Sequence, residues 1–201
     1  MNKILYALAA LATAGAAQAS IIPTLQGNPT NVGGGMFRYD YSATLAADQG
    51  LVTGGYFTLY DVSGFSSFGS LPSGFTGSTS LLGKTPGDVL PTDSASVLNV
   101  SFTYSGPAIN YATSGNVSTE LGTFSIFSSA GNRTVLHDFT SSALKNSGEA
   151  RGTSVSTIGK AAVEVPGAAT VPEPATWGLM ITGFGMIGIG MRRRSRNVVT
   201  A

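Results

Sequence analysis

Residues 37–45 read Phe-Arg-Tyr-Asp-Tyr-Ser-Ala-Thr-Leu, and apolar side chains alternate with polar ones through most of this run. Because successive side chains of a β-strand point to opposite faces, the alternation predicts a strand with one buried face and one solvated face. Residues 98–104 repeat the pattern, with apolar side chains at the even-numbered positions. Both runs favour a sheet that covers a hydrophobic core.

Further strand-like runs lie on either side of these two. Residues 56–62 are apolar on both faces and predict an inner strand, and weaker alternation occurs in residues 121–127, 134–139 and 154–165. Clusters of Gly, Ser, Asn and Pro predict turns at residues 31–35, 64–77, 105–107 and 129–132. The chain is therefore predicted to be all-β, an antiparallel β-sandwich for which a jelly roll is one arrangement.

The composition agrees with this fold and excludes several chemistries. Charged residues make up 10% of the 201 residues and Gly accounts for 27 of them, so the residues that favour helices are scarce. Cysteine is absent, which excludes disulfides, thiolate catalysis and Cys-ligated zinc. No cofactor is predicted.

The charges are distributed unevenly along the chain. Residues 20–170 carry six Lys or Arg and nine Asp or Glu, a net charge of −3, whereas Arg192, Arg193, Arg194 and Arg196 lie together near the C-terminus. Binding to nucleic acid needs a concentrated basic surface that displaces counterions from phosphates, and the six body cations are scattered. Nucleic acid is therefore not a predicted partner.

The first nineteen residues have the pattern of a secretory signal peptide. Lys3 precedes an apolar stretch at residues 4–17, and small residues occupy Ala17 and Ala19. This order of basic start, short apolar segment and small residues predicts cleavage between Ala19 and Ser20. The body is therefore expected to be exported.

The C-terminal segment has the pattern of a membrane span. Residues 175–191 contain no charge. The length of this stretch is close to the minimum, about 17 residues, that crosses a bilayer as a helix. The four arginines that follow are expected to stay in the cytoplasm and to keep the body on the outer side. Trp177 lies at the outer end of the span, where interfacial aromatic residues are common.

The start of this segment resembles a known family of sorting signals. Pro172-Glu173-Pro174 is followed by Trp177, a Gly-rich apolar stretch and the Arg192–Arg194 cluster, and this combination is similar to the PEP-CTERM sorting domain in its PEPxxW subtype. The same kind of tail is also catalogued as the ice-binding protein C-terminal domain, a name that describes a context and not an activity. Gly178 stands where the subtype usually has Ala.

The resemblance implies a Gram-negative envelope and recognition by an exosortase-like membrane protease. It also implies cleavage near Pro172–Pro174, and an association of many such proteins with exopolysaccharide or the cell surface. Two prolines one residue apart disfavour helix before them, so an extended segment that a protease can bind is expected to precede the span.

These observations predict four parts of the chain. Residues 1–19 form the signal peptide, residues 20–165 the β-sandwich, residues 166–171 a linker, and residues 172–196 the sorting and anchor segment with its span at 175–191. The protein is expected to be anchored in the inner membrane with its body in the periplasm. After C-terminal processing, the body is expected at the cell surface or outside the cell.

No group of residues in the body has the spacing of a catalytic or metal site. The single histidine, His137, precedes Asp138 in a predicted strand, so their side chains are expected on opposite faces, which a Ser-His-Asp relay does not permit. Two carboxylates can hydrolyse a glycoside, but no spacing selects a pair from the acidic candidates, which are Asp40, Asp61, Asp88, Asp93, Glu120 and Glu149.

The tyrosines leave an alternative open. A sandwich can present Tyr rings on one sheet face as a surface on which sugars stack, or it can bury them in the core, and the core is the favoured interpretation. The candidates are Tyr39, Tyr41, Tyr56, Tyr60, Tyr104 and Tyr111. The leading hypothesis is a non-enzymatic envelope or extracellular-matrix protein. The alternatives are an exopolysaccharide-binding module and, less favoured, a glycoside hydrolase.

Overall fold

The computed structural model describes residues 20–87, 89–111, 117–167, 179–184 and 186. In this part of the chain the body is built from strands. These are β1 (Ile21–Leu25), β2 (Thr30–Gly33), β3 (Met36–Leu45), β4 (Gln49–Gly50), β5 (Tyr56–Leu59), β6 (Phe65–Phe68), β7 (Phe75–Ser80), β8 (Asn99–Tyr104), β9 (Thr119–Ser128), β10 (Thr134–Lys145) and β11 (Ser154–Pro166).

The strands form two antiparallel sheets. The first sheet has the order β1-β3-β9-β6, with β2 also paired to β3, and the second has the order β11-β10-β5-β8-β7, with β4 also paired to β10. The order is interleaved, because β9 lies between β3 and β6 while β5 lies between β10 and β8. The chain therefore crosses repeatedly between the sheets, and contacts that are distant in sequence hold them together.

Aromatic side chains fill the space between the sheets. Phe124 of the first sheet is fully buried, and its ring lies 5.0 Å from that of Phe57 and 5.1 Å from that of Phe102, both in the second sheet. Phe57 and Phe102 stack on each other at 4.8 Å. The even-numbered positions of residues 98–104 include Phe102, so the alternation seen in the sequence places these rings in the core.

The first strand also touches both sheets. β1 pairs with β3, while the Ile21 backbone N–H donates to Ser141 Oγ of β10 at 3.0 Å. Ser20 is buried, and its hydroxyl donates to the Val155 carbonyl of β11 at 2.8 Å. The strand therefore closes one side of the sandwich.

The predicted all-β antiparallel fold is confirmed, and the two strongest strand predictions correspond to β3 and β8. The inner strand predicted at residues 56–62 is confirmed as β5 but is shorter than predicted, because β5 ends at Leu59. Beyond its end, Asp61 has a left-handed backbone with φ of 54°. The predicted turn at residues 64–77 is wrong in part. Gly64 and Gly74 do turn the chain with positive φ, but β6 and the start of β7 lie in that range.

The boundaries differ from the sequence expectation at two other places. β2 occupies most of the turn predicted at residues 31–35, and β1, which contains Pro23, had no predicted counterpart. At the other end of the body, β11 continues to Pro166, and the Gly167 N–H donates to the Arg133 carbonyl at 3.2 Å. The sheet thus continues beyond position 165.

The C-terminal part forms a separate compact unit from Ala169 to Ala201. Residues 179–184 and 186 of this unit are helical. Among the described residues, no helix has both the length and the apolar character needed to cross a membrane. Most of residues 175–191, and all of the predicted signal peptide, lie outside the described residues.

Removal of the central ring tests the importance of the aromatic core. We expect Phe124→Ala to lower the free energy of unfolding by about 3–5 kcal/mol, because the ring is fully buried between Phe57, Phe75 and Phe102. Denaturant unfolding followed by circular dichroism measures the loss. The control is Leu136→Ala, whose side chain is 60% exposed and should change stability little. Equal losses in both variants would contradict the proposed role of the cluster.

Candidate functional sites

Residues 81–98, the 81–98 loop, connect β7 to β8 and cover the part of the second sheet's outer face that contains Tyr56 and Tyr60. The Lys84 carbonyl accepts hydrogen bonds from the hydroxyls of Tyr60 and Thr140, both at 3.2 Å. The Lys84 ammonium lies 3.9 Å from the centre of the Tyr56 ring, which is a cation–π contact. The part of the face around Tyr56 and Tyr60 is therefore covered by the chain itself.

A close approach at Gly83 permits this cover. A Cβ atom at this position would lie 2.3 Å from the Tyr60 ring, so only glycine fits without movement of the ring or the loop. The Gly83 N–H donates to Asp93 Oδ2 at 2.9 Å, and Asn99 Nδ2 donates to Asp93 Oδ1 at 2.8 Å. Asp93 thus joins the two ends of the loop.

Two buried aspartates fix the loop to the sheet. Asp61 Oδ1 accepts a hydrogen bond from the Ser94 N–H at 2.9 Å. Asp138 Oδ2 accepts from the Thr92 N–H at 2.7 Å, and Asp138 Oδ1 accepts from the Ala161 N–H of β11 at 2.8 Å. These carboxylates serve as acceptors for backbone donors, which is a structural role.

The surroundings of Asp138 favour its charged form. Burial by itself would raise the pKa of this carboxyl, but the hydrogen bonds from the two backbone N–H groups and from Lys160 outweigh burial and lower the pKa below its ordinary value. The Lys160 ammonium lies 2.9 Å from Asp138 Oδ2 and also donates to the Leu90 carbonyl at 2.5 Å. Asp138 therefore contributes to stability as a carboxylate.

His137 has a different acidic neighbour from the one beside it in the sequence. Its Nδ1 lies 3.4 Å from Asp61 Oδ2, and its side chain is 29% exposed. Asp138 instead bonds to Thr92, Lys160 and Ala161. Neighbouring residues of a strand point to opposite faces, so the two side chains were expected to have different partners. In residues 20–167 as described, no hydroxyl hydrogen-bonds to His137, so the geometry brings together a His–Asp pair but not the nucleophile that a relay needs.

The remaining acidic candidates are dispersed. Asp40 bonds to Arg38 at 2.9 Å and to Ser125 Oγ at 2.6 Å on the outer face of the first sheet. Glu120 accepts from Thr44 Oγ1 at 2.5 Å, and Glu149 is exposed in the turn before β11. Asp88 lies outside the described residues. Within the part of the chain that the structure describes, no group of three or more His, Asp or Glu could hold a metal ion.

The tyrosines are mostly in the interior, as the favoured interpretation predicted. Tyr39 and Tyr41 are fully buried between the sheets, and Tyr104 is 3% exposed. Tyr56 and Tyr60 belong to the outer side of the second sheet but lie beneath the 81–98 loop, at 6% and 0% exposure. Burial raises the pKa of both Tyr39 and Tyr56 to about 12, so these phenols are neutral.

Tyr111 is the exception among the six. It is partly exposed, and the Arg151 guanidinium lies 5.5 Å from the centre of its ring. A single ring partly covered by Arg151 does not make a row of rings on which a sugar chain could stack.

Sequence patterns did not reveal these contacts in advance. The Asp61–His137 pair and the Lys84–Tyr56 contact join residues far apart in the sequence, and only the fold brings them together. Nothing in the sequence distinguishes Gly83, which lies close to the Tyr60 ring, from Gly87 of the same loop, which has no close neighbour.

The predicted signal-cleavage site lies at the start of the fold. The carbonyl of Ser20, the residue after the predicted cut, accepts a hydrogen bond from the Ala46 N–H at 3.1 Å, and the Ser20 N–H donates to Thr157 Oγ1 at 3.2 Å. Ala17 and Ala19 lie outside the described residues, so cleavage between Ala19 and Ser20 stays a prediction.

The C-terminal unit carries apolar side chains that face solvent. In the helical residues 179–184 and 186, the exposed fractions range from 58% to 76% for Leu179, Met180, Ile181, Phe184 and Met186. A helix with exposed apolar side chains is typical of a segment whose surroundings are apolar. Pro172, Glu173, Pro174, Trp177 and the four arginines lie outside the described residues.

Comparison with protein families identifies the class of this segment. Residues 170–194 match the family model described as the PEP-CTERM protein-sorting motif. No curated protein and no solved structure matches the chain. Residues 170–194 therefore carry a PEP-CTERM sorting motif, which implies exosortase-dependent sorting of an exported protein. A motif of this kind implies a membrane-anchored sorting signal that an exosortase processes.

The role of Asp138 can be tested by substitution. We expect Asp138→Asn to lower the free energy of unfolding at pH 7 by about 1–3 kcal/mol, because the carboxamide has one acceptor oxygen, so either the Thr92 or the Ala161 N–H loses its acceptor. The backbone amide that loses its acceptor should also exchange its hydrogen faster. Glu149→Gln, at an exposed position, is the matched control and should leave both measurements unchanged.

The difference in the free energy of unfolding between the wild-type protein and the Asp138→Asn variant should decrease as the pH falls. The folded pKa of Asp138 is depressed, so its contribution is complete above the unfolded pKa of about 3.9 and is lost as the pH falls through the lower folded pKa. The wild-type protein and the Asp138→Asn variant should therefore converge in stability below that range. A difference that stays constant down to pH 2 would contradict a role for the carboxylate charge.

Proposed function

We propose that this protein is a non-enzymatic component of the cell envelope or extracellular matrix. In this proposal a signal peptide directs the chain across the inner membrane, and the span at residues 175–191 holds it there with the body in the periplasm. An exosortase then cuts near Pro172–Pro174 and the sandwich passes to the cell surface or the medium. The match of residues 170–194 to the sorting motif carries the proposal.

The order of features along the tail supports the membrane step. The motif begins three residues after Gly167, the last residue hydrogen-bonded to the sandwich among those described, and the apolar stretch ends at a cluster of arginines. Cations beside a span favour the cytoplasmic side. The prolines before the span support an extended segment that a protease can bind.

The surface of the body supports a role without catalysis. A depression of about 400 Å³ is lined by residues 62–65 and 96–98, and another of about 220 Å³ by residues 52–55, 142–144 and 154. Neither lining contains an ionisable side chain. A glycoside hydrolase needs two carboxyls that flank a bound sugar, and the buried aspartates instead accept hydrogen bonds from backbone N–H groups.

Exopolysaccharide binding is the second candidate function. Tyr56 and Tyr60 lie on one sheet face among the hydroxyls of Thr58, Ser101 and Thr140, a mixture of rings and polar groups that suits sugars. The 81–98 loop covers these rings, which weighs against the candidate in this conformation.

Mass spectrometry of the protein isolated from its own cells tests the sorting proposal. We expect a mature chain that begins at Ser20 and has lost everything from about Pro174 onward, because the signal peptide and the membrane segment are both removed. A mature chain that still contains Arg192–Arg196 would show that the tail is a permanent anchor.

The arginines provide a matched variant for this measurement. Replacement of Arg192, Arg193 and Arg194 by Ser removes the cytoplasmic charges and leaves the apolar stretch intact, so the processed form should decrease and full-length chain should be lost from the membrane. Replacement of Arg151, a body cation, by Ser should leave processing unchanged. Normal processing in both variants would contradict the positive-inside orientation.

A binding experiment separates the two candidate functions. We expect no heat of binding when the protein is titrated with exopolysaccharide of its own host at millimolar sugar, because the rings of Tyr56 and Tyr60 are covered. Binding that is lost in Tyr56→Ala but kept in Tyr111→Ala would favour the carbohydrate candidate over the matrix proposal.

A further inference from the structure

The edge strands of the two sheets are protected to different degrees. An exposed edge offers unpaired N–H and C=O groups to another strand, and proteins blunt such edges with charges, prolines and irregularities. β1 contains Pro23, and β6 pairs with β9 through a register shift. β11 exposes Lys160 and Glu164 and has a left-handed residue, Ala161, with φ of 44°.

β7 has none of these protections. It pairs with β8 over six consecutive residues without a register shift, from Phe75↔Tyr104 to Ser80↔Asn99. It contains no charge and no proline, and the sequence has no charged residue between Asp61 and Lys84. Thr76 and residues 78–80 are exposed. β7 is therefore an open, neutral and regular edge.

The hydrogen-bond pattern identifies which groups are free at this edge. In an antiparallel pair, successive residues alternate between facing the partner strand and facing away. The Ser105 N–H donates to the Gly74 carbonyl at 2.7 Å, so the even-numbered residues of β7 face β8. The N–H of Phe75 faces outward and is used by the Pro72 carbonyl at 3.1 Å. The backbone groups of Gly77 and Thr79 therefore point away from the sheet.

We propose that β7 pairs antiparallel with β7 of a second copy of this chain, around a two-fold axis at Ser78. In that register Gly77 of one copy lies opposite Thr79 of the other, so all the outward backbone groups of both residues find partners. The two Ser78 residues face each other as a non-hydrogen-bonded pair, and Thr76 faces Ser80. The two second sheets become one continuous sheet.

The neutrality of the strand favours a second copy as the occupant. A two-fold contact places the same surface against itself, so a charged strand would oppose like charges, whereas β7 opposes hydroxyl to hydroxyl. Leu81 and Leu82 follow the strand and are 51% and 71% exposed. An antiparallel partner brings the start of its own strand beside them, which removes apolar surface from water. The inference is independent of the proposed sorting route.

A single cysteine at the two-fold axis tests the register. The chain has no native cysteine, and residues in a non-hydrogen-bonded antiparallel pair have Cα atoms about 4.5 Å apart, a distance that a disulfide can bridge. In the purified full chain in mild detergent, Ser78→Cys should give a disulfide-linked dimer after mild oxidation. Thr76→Cys is on the same strand and the same face but should not form a disulfide-linked dimer, because in the proposed register it lies opposite Ser80 of the other copy. The double variant Thr76→Cys, Ser80→Cys should restore the dimer.

A second variant tests the edge without a cross-link. Thr79→Pro removes an N–H that points away from β8, so the monomer should keep its unfolding temperature while the dimer is lost in analytical ultracentrifugation. Thr79→Val keeps the N–H and should remain dimeric.

Three results would overturn the proposal. They are a monomeric wild-type chain at every concentration, equal cross-linking through Cys introduced at positions 76 and 78, or a dimer that survives Thr79→Pro. Cross-linking of Ser78→Cys to a different exported protein in intact cells, with the purified chain monomeric, would assign the edge to another partner and would also refute pairing between copies.

Discussion

The contact of Phe124 with Phe57 and Phe102 is the interaction on which the rest of the body depends. It joins the two sheets at their centres in a chain that has no disulfide to supplement its core. Burial of aromatic rings is the largest favourable contribution available to such a small domain, and edge-to-face geometry adds to it.

Outside the core, polar contacts carry the organisation of the body. Leu81, Leu82 and Leu90 of the 81–98 loop are exposed, and carboxylates and hydroxyls bond to the backbone of the loop. Asp61, Asp93 and Asp138 each accept from backbone N–H groups of this loop. In an enzyme, buried aspartates near a histidine would suggest chemistry. Here their hydrogen bonds attach a loop to the sheet.

Much of the fold could be predicted from the sequence, because an apolar side chain at every second position marks the face of a strand that lies in the core. β3 and β8 both have such a face, although the polar face of β8, which was expected in solvent, is also buried at Asn99 and Ser101. β6 could not be predicted, because its two phenylalanines lie within a run of Gly and Ser that resembles a turn, and only packing against the other sheet makes it a strand. The sorting signal could be predicted for a different reason: a protease and a bilayer recognise linear features. Contacts such as Asp61 with His137 could not, since they depend on how strands distant in the sequence are arranged side by side.

The way in which β11 ends has a mechanical consequence. A pull on the tail reaches the body first at Gly167, whose N–H bonds to the Arg133 carbonyl, and then at Pro166, which pairs with Thr134 at the end of the β10–β11 ladder. A force applied at one end of a β-ladder breaks the hydrogen-bonded pairs one after another, and a ladder resists this mode of separation least. The Ser63 N–H bonds to the Pro166 carbonyl at 3.0 Å and the Tyr41 hydroxyl to the Glu164 carbonyl at 3.0 Å, so force is passed at once to other strands of the sandwich. The strand that leads to the tether is thereby reinforced where traction is greatest.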